Sequence, residues 1–197
     1  MNQKNRYFIT GTDTGVGKTF ASVLLSRKLD VPYFKPIQTG FLFDSDENFA
    51  RKNGCRVIPT QYNFMAPVSP NIAAKLEKTS INIDDIVIPD ADVIVEGAGG
   101  ILTPIRDDFT MLDFVEKINL PLIVIVKVRL GMINHALLTI GAIRARNLPI
   151  CGIIFNGMED ENACKTIIDI AKVPILGYIP GNFALNSENI DNFKLNL

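Results

Sequence analysis

The sequence predicts an α/β fold, a mostly parallel sheet flanked by helices, and two observations carry that reading. Short runs of β-branched and aromatic residues alternate with amphipathic stretches, as strands alternate with crossover helices. One run, Leu122–Val128 (LIVIVKV), is apolar almost throughout, as a strand covered on both faces must be, and such strands belong to parallel sheets.

Taken in order, strands are expected at Tyr7–Thr10, Tyr33–Pro36, Asp92–Glu96, Leu122–Val128, Cys151–Asn156 and Ile175–Tyr178. Helices are expected at Lys18–Leu29, Met111–Ile118, Asn134–Arg146 and Glu161–Ala171. In Asn134–Arg146, Ala136, Leu137, Ile140 and Ile143 recur at helical spacing and give that helix one buried face. The stretch Phe41–Asp90 holds four prolines and mixed polarity. It reads as a helix near Glu47–Asn53, a loop around PVSPN and a further helix. The asparagine-rich tail after Pro180 is weakly periodic and is expected to be a frayed helix. No internal repeat is visible.

The 197 residues suit one domain, 1–197, with a sizeable core. With 20 basic against 21 acidic residues the net charge is −1, so no overall field draws the chain to nucleic acid or a membrane surface. Small molecules or protein are the expected partners. Cys55, Cys151 and Cys164 form neither a CxxC pair nor a disulfide framework and read as idle thiols. The N-terminal MNQKNRYFIT has no apolar signal core, and the run Leu120–Val126 is too short to span a bilayer. A cytoplasmic protein is expected.

The first chemical motif is GTDTGVGKT, Gly11 to Thr19. Five residues separate Gly11 from Gly17, one more than the usual phosphate-loop spelling allows. The context matters more than the spelling, because a glycine-rich turn between a strand and a helix aims backbone N–H groups and a helix N-terminus at one spot. Lys18 would reach the terminal phosphates and the Thr19 hydroxyl would face Mg²⁺. With this motif the expected fold narrows to a P-loop NTPase-like single domain.

The second motif is FKPIQTG, Phe34 to Gly40, at a strand's carboxyl end, which in an open α/β sheet faces the binding crevice and brings Lys35 beside the phosphate loop. The third is VIVEGAGG, Val93 to Gly100. A carboxylate closing an apolar strand is where phosphate-loop enzymes hold a metal, so Glu96 is a candidate Mg²⁺ ligand. Gly97, Gly99 and Gly100 would let a substrate approach the backbone closely. Asp46, read alone, is a helix N-cap or a solvated charge. In VRLGMINHA, Asn134 reads as a polar cap before a helix, an anion-capable N-terminus. His135 is the single histidine, so neither a histidine metal cluster nor a Ser-His-Asp set is expected; it reads as cap-adjacent and partly packed.

Together GTDTGVGKT, KPIQTG, EGAGG and LGMINHA resemble the dethiobiotin synthetase family, in order and from about Tyr7 to Pro180. SPNIAA at Ser69–Ala74, IIFNG at Ile153–Gly157 and LGYIP at Leu176–Pro180 are also similar to its segments. The resemblance implies a homodimer that converts diaminopelargonic acid, CO₂ (or bicarbonate) and ATP, with Mg²⁺, to dethiobiotin, ADP and phosphate. It implies that Lys18 and Lys35 flank a carbamate and the transferring phosphoryl group, with Thr14 and Thr39 donating hydrogen bonds nearby. The nucleotide would lie on Asp13, Gly15, Val16, Gly17, Lys18, Thr19, Phe20 and Glu96, with Asn156 reading the base. Thr19, Asp46 and Glu96 would hold Mg²⁺. The substrate would meet Thr39, the turn Gly97, Ala98, Gly99 and Gly100, and, across the dimer interface, Leu130, Gly131, Met132, Ile133 and Asn134.

Three other readings compete. An ATPase switch of the kind that partitions DNA or positions division sites would carry a signature lysine where Asp13 stands. An amidoligase of this fold would need a glutaminase domain, for which 197 residues leave no room. An inert nucleotide-binding module would not need both Lys35 and Glu96 aimed at the phosphates.

Overall fold

A computed structural model describes residues 4–40, 45–158 and 160–197. Its first unit is β1 (Arg6–Gly11), a loop, and α1 (Lys18–Lys28), which ends on Arg27 and Lys28, cations that suit the negative end of the helix dipole. Next come β2 (Tyr33–Phe34), β3 (Ile37–Thr39), α2 (Asp46–Lys52), β4 (Val57–Ile58), β5 (Tyr62–Phe64), α3 (Pro70–Leu76) and a 3₁₀ turn at Ile83–Asp85. The second half runs β6 (Val93–Glu96), β7 (Pro104–Arg106), β8 (Phe109–Thr110), α4 (Met111–Ile118), β9 (Leu122–Lys127), α5 (Met132–Ala145), β10 (Ile150–Gly157), α6 (Glu161–Ala171), β11 (Ile175–Pro180) and α7 (Ser187–Asn192).

Among the described residues the main sheet has seven strands in the order β11-β10-β9-β1-β6-β2-β4, and every adjacent pair is parallel. The central strand β1 lies in register with β6 (Phe8 beside Val95) and β9 (Ile9 beside Ile123). Side chains alternate across the sheet. Phe8, Val93, Val95 and Val124 pack with α3, α4, α5 and α6, while Ile9, Ile94, Ile123 and Ile154 pack with α1 and α7. Both faces are covered, so the α/β expectation with a mostly parallel sheet holds.

The predicted strands and helices appear, with boundaries moved for local reasons. The expected Tyr33–Pro36 strand stops at Phe34, and Ile37–Thr39 joins a separate parallel pair with β5. Pro36 lacks an N–H for the ladder, so the pairing does not continue through it. The helix after VRLG starts at Met132, so Asn134 is not its cap. Gly131, at φ 90°, occupies that position in a conformation that suits glycine, and Asn134 lies within the first turn. Asp46 is likewise not a cap, because Ser45 caps α2 by accepting a bond from Asn48 N, and Asp46 is the first helical residue. Residues 41–44, which include the first two of the stretch FDSDENF, lie outside the described residues.

The tail is not frayed. Asn186 caps α7, and Ile190 and Phe193 are buried in the α1-side core. Arg27 donates to Leu185 O at 2.8 Å and Lys28 to Asp191 O at 2.7 Å, tying α7 to α1. Beyond α7, Asn196 N donates to Leu176 O at 2.9 Å, so the last residues run along β11, an edge strand of the sheet. Among the described residues no helix is long and apolar enough to cross a membrane, and none of the three cysteines is in a disulfide.

Candidate active site

The carboxyl ends of β1, β2 and β6 adjoin one another, and each carries one of the motifs. The loop after β1 is shaped by glycines whose freedom is used: Gly15 and Gly17 sit at φ 70° and 92°. A side chain on Gly11 would come within 2.5 Å of Val16 Cγ2, so the loop could not fold back over its own strand. Val16 is buried in the α1-side core and offers only its backbone to a ligand. The loop is anchored at several points. Thr12 N donates to Ile125 O at 3.1 Å, and Asn156 Nδ2 donates to Val16 O at 2.9 Å from the end of β10. Arg129 pairs with Asp13 at 2.7 Å, joining the loop to the β9–α5 connection. The Asp13 carboxyl also accepts from Thr14 N at 2.7 Å, and that bond, with the Arg129 guanidinium, holds its pKa below the ordinary value. A signature lysine at position 13 would reverse this pairing.

Lys18 lies folded back on the loop, its Nζ donating to Asp13 O at 2.9 Å. Burial pushes its pKa down to about 8, partly opposed by the charge of Glu96. The loop's cation is thus held on a carbonyl of the loop, within a few side-chain torsions of the open space beside it.

Glu96, at the last position of β6, is fully buried and accepts three bonds. Thr19 Oγ1 donates to Oε1 at 2.9 Å, Lys35 Nζ to the same oxygen at 2.8 Å, and Tyr33 OH to Oε2 at 3.0 Å. Lys35 also pairs with Asp46 at the start of α2. Burial alone would lower the Lys35 pKa, but the charges of Glu96 and Asp46 outweigh it and hold the ammonium above its ordinary value. For Tyr33, burial and then the Glu96 charge push the phenol well up, so it remains a donor. Gln38 braces the other side: its Oε1 accepts from Asp46 N at 3.2 Å, and its Nε2 donates to Thr39 O at 2.7 Å.

A cavity of about 620 Å³ opens over this cluster. Its floor is Thr14, Gly15, Gly17, Lys18 and Thr19; Lys35, Gln38, Thr39, Asp46 and Glu96 form one wall. Pro67–Pro70, Ala98, Gly99, Thr103 and Pro104 form the other. A second space of about 330 Å³ adjoins it, between Thr12–Thr14, Gly100–Thr103 and the α5 residues His135, Leu138 and Thr139. The carboxylates of Asp46 and Glu96 converge on Lys35, and the Thr19 hydroxyl bonds the same Glu96 oxygen that Lys35 does. That hard-oxygen set fits Mg²⁺, which keeps water and phosphate ligands and needs few from protein.

Several expected residues are thus brought together: Thr14, Gly15, Gly17, Lys18, Thr19, Lys35, Thr39, Asp46, Glu96, Ala98 and Gly99. Others are not at the main cavity. The missing side chain of Gly97 is required by the core, since a Cβ there would lie 2.8 Å from the Phe8 ring, and Gly100 N is spent on Thr103 Oγ1 at 2.8 Å. Phe20 meets Phe183 edge-on at 6.2 Å and lines a separate space of about 360 Å³ with Gly17, Thr19 and Asp46. Met132 is buried, Leu130 is fully exposed, and neither they nor Gly131, Ile133 and Asn134 line either space. His135 is partly packed as expected, and it lines the second space, which sequence reasoning missed. Also missed were Gln38, Arg129 and Tyr33. Gln38 was visible inside KPIQTG, whereas nothing local marks the other two.

A family model described as an AAA domain matches residues 5–189. The ATP-dependent dethiobiotin synthetase BioD of Sphingopyxis alaskensis is 40% identical over 186 residues, covering 94% of this chain and 92% of that protein. The protein of the same name from Lawsonia intracellularis is 37% identical over 192 residues, 96% and 95% of the two chains. Among solved structures, a plasmid partition protein of Borrelia burgdorferi B31 bound to AMPPNP matches with a TM-score of 0.58 at 14% identity, over 99% of this chain and 92% of that one. MinD, a cell division protein of Aquifex aeolicus, matches with a TM-score of 0.53 at 16% identity, over 95% and 86%. At such identities these two speak for the fold alone, that of P-loop NTPases.

Proposed function

The chain belongs to the dethiobiotin synthetase family, ATP-dependent ligases of biotin biosynthesis, and we propose that it closes the cyclic urea of dethiobiotin from 7,8-diaminopelargonic acid, CO₂ and ATP. The observation that supports this most directly is the cluster of Lys35, Asp46, Glu96 and Thr19 at the mouth of the phosphate loop, beside a cavity large enough for a second substrate. A nucleotide-binding turn alone would not need it.

The reaction joins two anions. One amine of the diamine adds to CO₂ and loses a proton, giving a carbamate. A carbamate oxygen attacks the γ-phosphorus and ADP leaves; the second amine then attacks the carbamoyl carbon and phosphate leaves as the ring closes. Carbamate and triphosphate repel each other, so the site must supply cations to both. Lys18 swings from Asp13 O to the terminal phosphates, and Lys35, released from its carboxylates, bridges the carbamate and the transferred group. Thr14 and Thr39, on the floor and wall of the cavity, donate to the same charge. When bound, Mg²⁺ on Thr19, Asp46 and Glu96 would neutralise phosphate charge. No base of tuned pKa is required, because both amines lose their protons to water or product phosphate.

Residues 1–197 act as one catalytic unit in this reading, in a cytoplasmic homodimer. The start of α5, Leu130–Asn134, lies outside the cavity of its own protomer, and it reaches the diamine's carboxylate in the partner's site. The test is turnover. Purified protein should release phosphate from ATP with Mg²⁺ only when the diamine and bicarbonate are both present. Equal ATP hydrolysis without the diamine would overturn the proposal and favour a conformational ATPase.

A further inference from the structure

Of the three donors on Glu96, two crowd one oxygen. Thr19 Oγ1 and Lys35 Nζ both lie on Oε1, the oxygen that faces the phosphate loop and Asp46. If Oε1 takes a metal, both donors must give way: the Thr19 oxygen turns its lone pair to the ion, and like charge drives the Lys35 ammonium off. Tyr33 OH, 3.0 Å from Oε2, is the bond that can persist. Tyr33 and Glu96 are both fully buried, so no water competes for this contact. The Tyr33 ring is clamped between Val23 on α1 and Ala50 on α2, and its backbone is held in β2 beside Ile94 of β6.

We propose that Tyr33 is a positioning residue for the metal site: its hydroxyl fixes the Glu96 carboxylate so that Oε1 stays turned toward Thr19 and Asp46 whether or not Lys35 is in place. This rests on the reading of Thr19, Asp46 and Glu96 as the Mg²⁺ set. Partners that orient a ligand from behind typically carry a 10- to 100-fold effect on metal affinity. The phenol does so here without touching nucleotide or substrate.

Mn²⁺ binding followed by electron paramagnetic resonance, with protein saturated by a non-hydrolysable ATP analogue, tests this directly. Tyr33→Phe should weaken Mn²⁺ binding about tenfold, while analogue affinity in EDTA stays at the wild-type value. Mn²⁺ affinity within about twofold of wild type, or an equal loss of analogue affinity in EDTA, would overturn the positioning role. Absence of Mn²⁺ binding by wild-type protein would instead overturn the metal reading, and this inference with it. A second measurement serves if Tyr33→Phe does not fold. With 3-fluorotyrosine in place of Tyr33, the fluorine resonance should shift when Mg²⁺ is added to the analogue complex, and an unmoved resonance would count decisively against the proposal.

Discussion

Lys35 Nζ lies 2.8 Å from Glu96 Oε1 and pairs with Asp46 as well, so the ammonium stands between the two carboxylates proposed to hold a metal. In the proposed reaction, lysine neutralises the site before ligands arrive, and a bound metal would take over that task and leave lysine free for the acceptor. Lys35→Ala should therefore reduce turnover by about 10²- to 10³-fold, the effect of removing one donor from a developing anion, while nucleotide still binds. It should also destabilise the empty protein by about 3–5 kcal/mol, since a buried carboxylate loses its partner. Thermal scans should then show Mg²⁺ stabilising Lys35→Ala more than wild type. Loss of nucleotide binding would place Lys35 in the ground-state site instead.

Asn156 spends its amide N–H on Val16 O, bracing the phosphate loop from the end of β10. The resemblance would have this residue read the base. Asn156→Ala should remove about 1 kcal/mol, roughly fivefold in affinity, from ATP and GTP alike. Competition binding separates the two roles, because loss for ATP alone would mean that the carboxamide reads the base.

The Phe193 ring is buried against Phe183 at 5.8 Å and fills the space a side chain on Gly177 would need, where a Cβ would lie 2.6 Å from its Cζ. Truncating it leaves a hole in the α1-side core. Phe193→Ala should cost about 3 kcal/mol in urea unfolding. A change below about 1 kcal/mol would mean the tail packs more loosely than its contacts indicate.

The capping box of α4 gives a pH dependence with a definite sign. Thr110 N donates to Asp113 Oδ2 at 2.7 Å, Arg146 pairs with Oδ1 at 3.0 Å, and the Thr110 bonds foremost hold the Asp113 pKa below its ordinary value. A carboxylate with a depressed folded pKa adds stability above its unfolded value, about 3.9, and loses it as pH falls through the folded value. Asp113→Asn should be less stable than wild type at about pH 6. The gap should close as pH drops below about 4. A constant gap would show that the cap's geometry, not its charge, matters.

The parts of the site legible in the sequence are those whose chemistry is local. Gly11–Thr19, Lys35 and Glu96 each pair a strand end with a residue type that suits few other jobs there, and all meet at one cavity. Tyr33 reads as an ordinary strand aromatic because its partner Glu96 is 63 residues away. The pairs β3–β5 and β7–β8 escaped notice because strands of two or three residues carry no period and exist only through their partners. The start of α5 was misplaced because a polar residue outweighed Gly131, whose positive φ sets the boundary. The tail looked weakly periodic because Ile190 and Phe193 answer to α1 and β11, not to a face of their own helix.

The order of strands also governs when this site can come into being. The phosphate loop comes well before β6 and β9 in the chain, yet β1 lies between these two strands, which begin at Val93 and Leu122. A nascent chain holding only β1, α1 and β2 has neither neighbour of its central strand and no Glu96 to receive Thr19, Tyr33 or Lys35. Pairings so distant along the chain make folding slow and leave apolar strands uncovered meanwhile. A ribosome must therefore release both β6 and β9 before the phosphate loop stands in a complete site, and nucleotide can stabilise a chain that holds both strands but not guide one that lacks them.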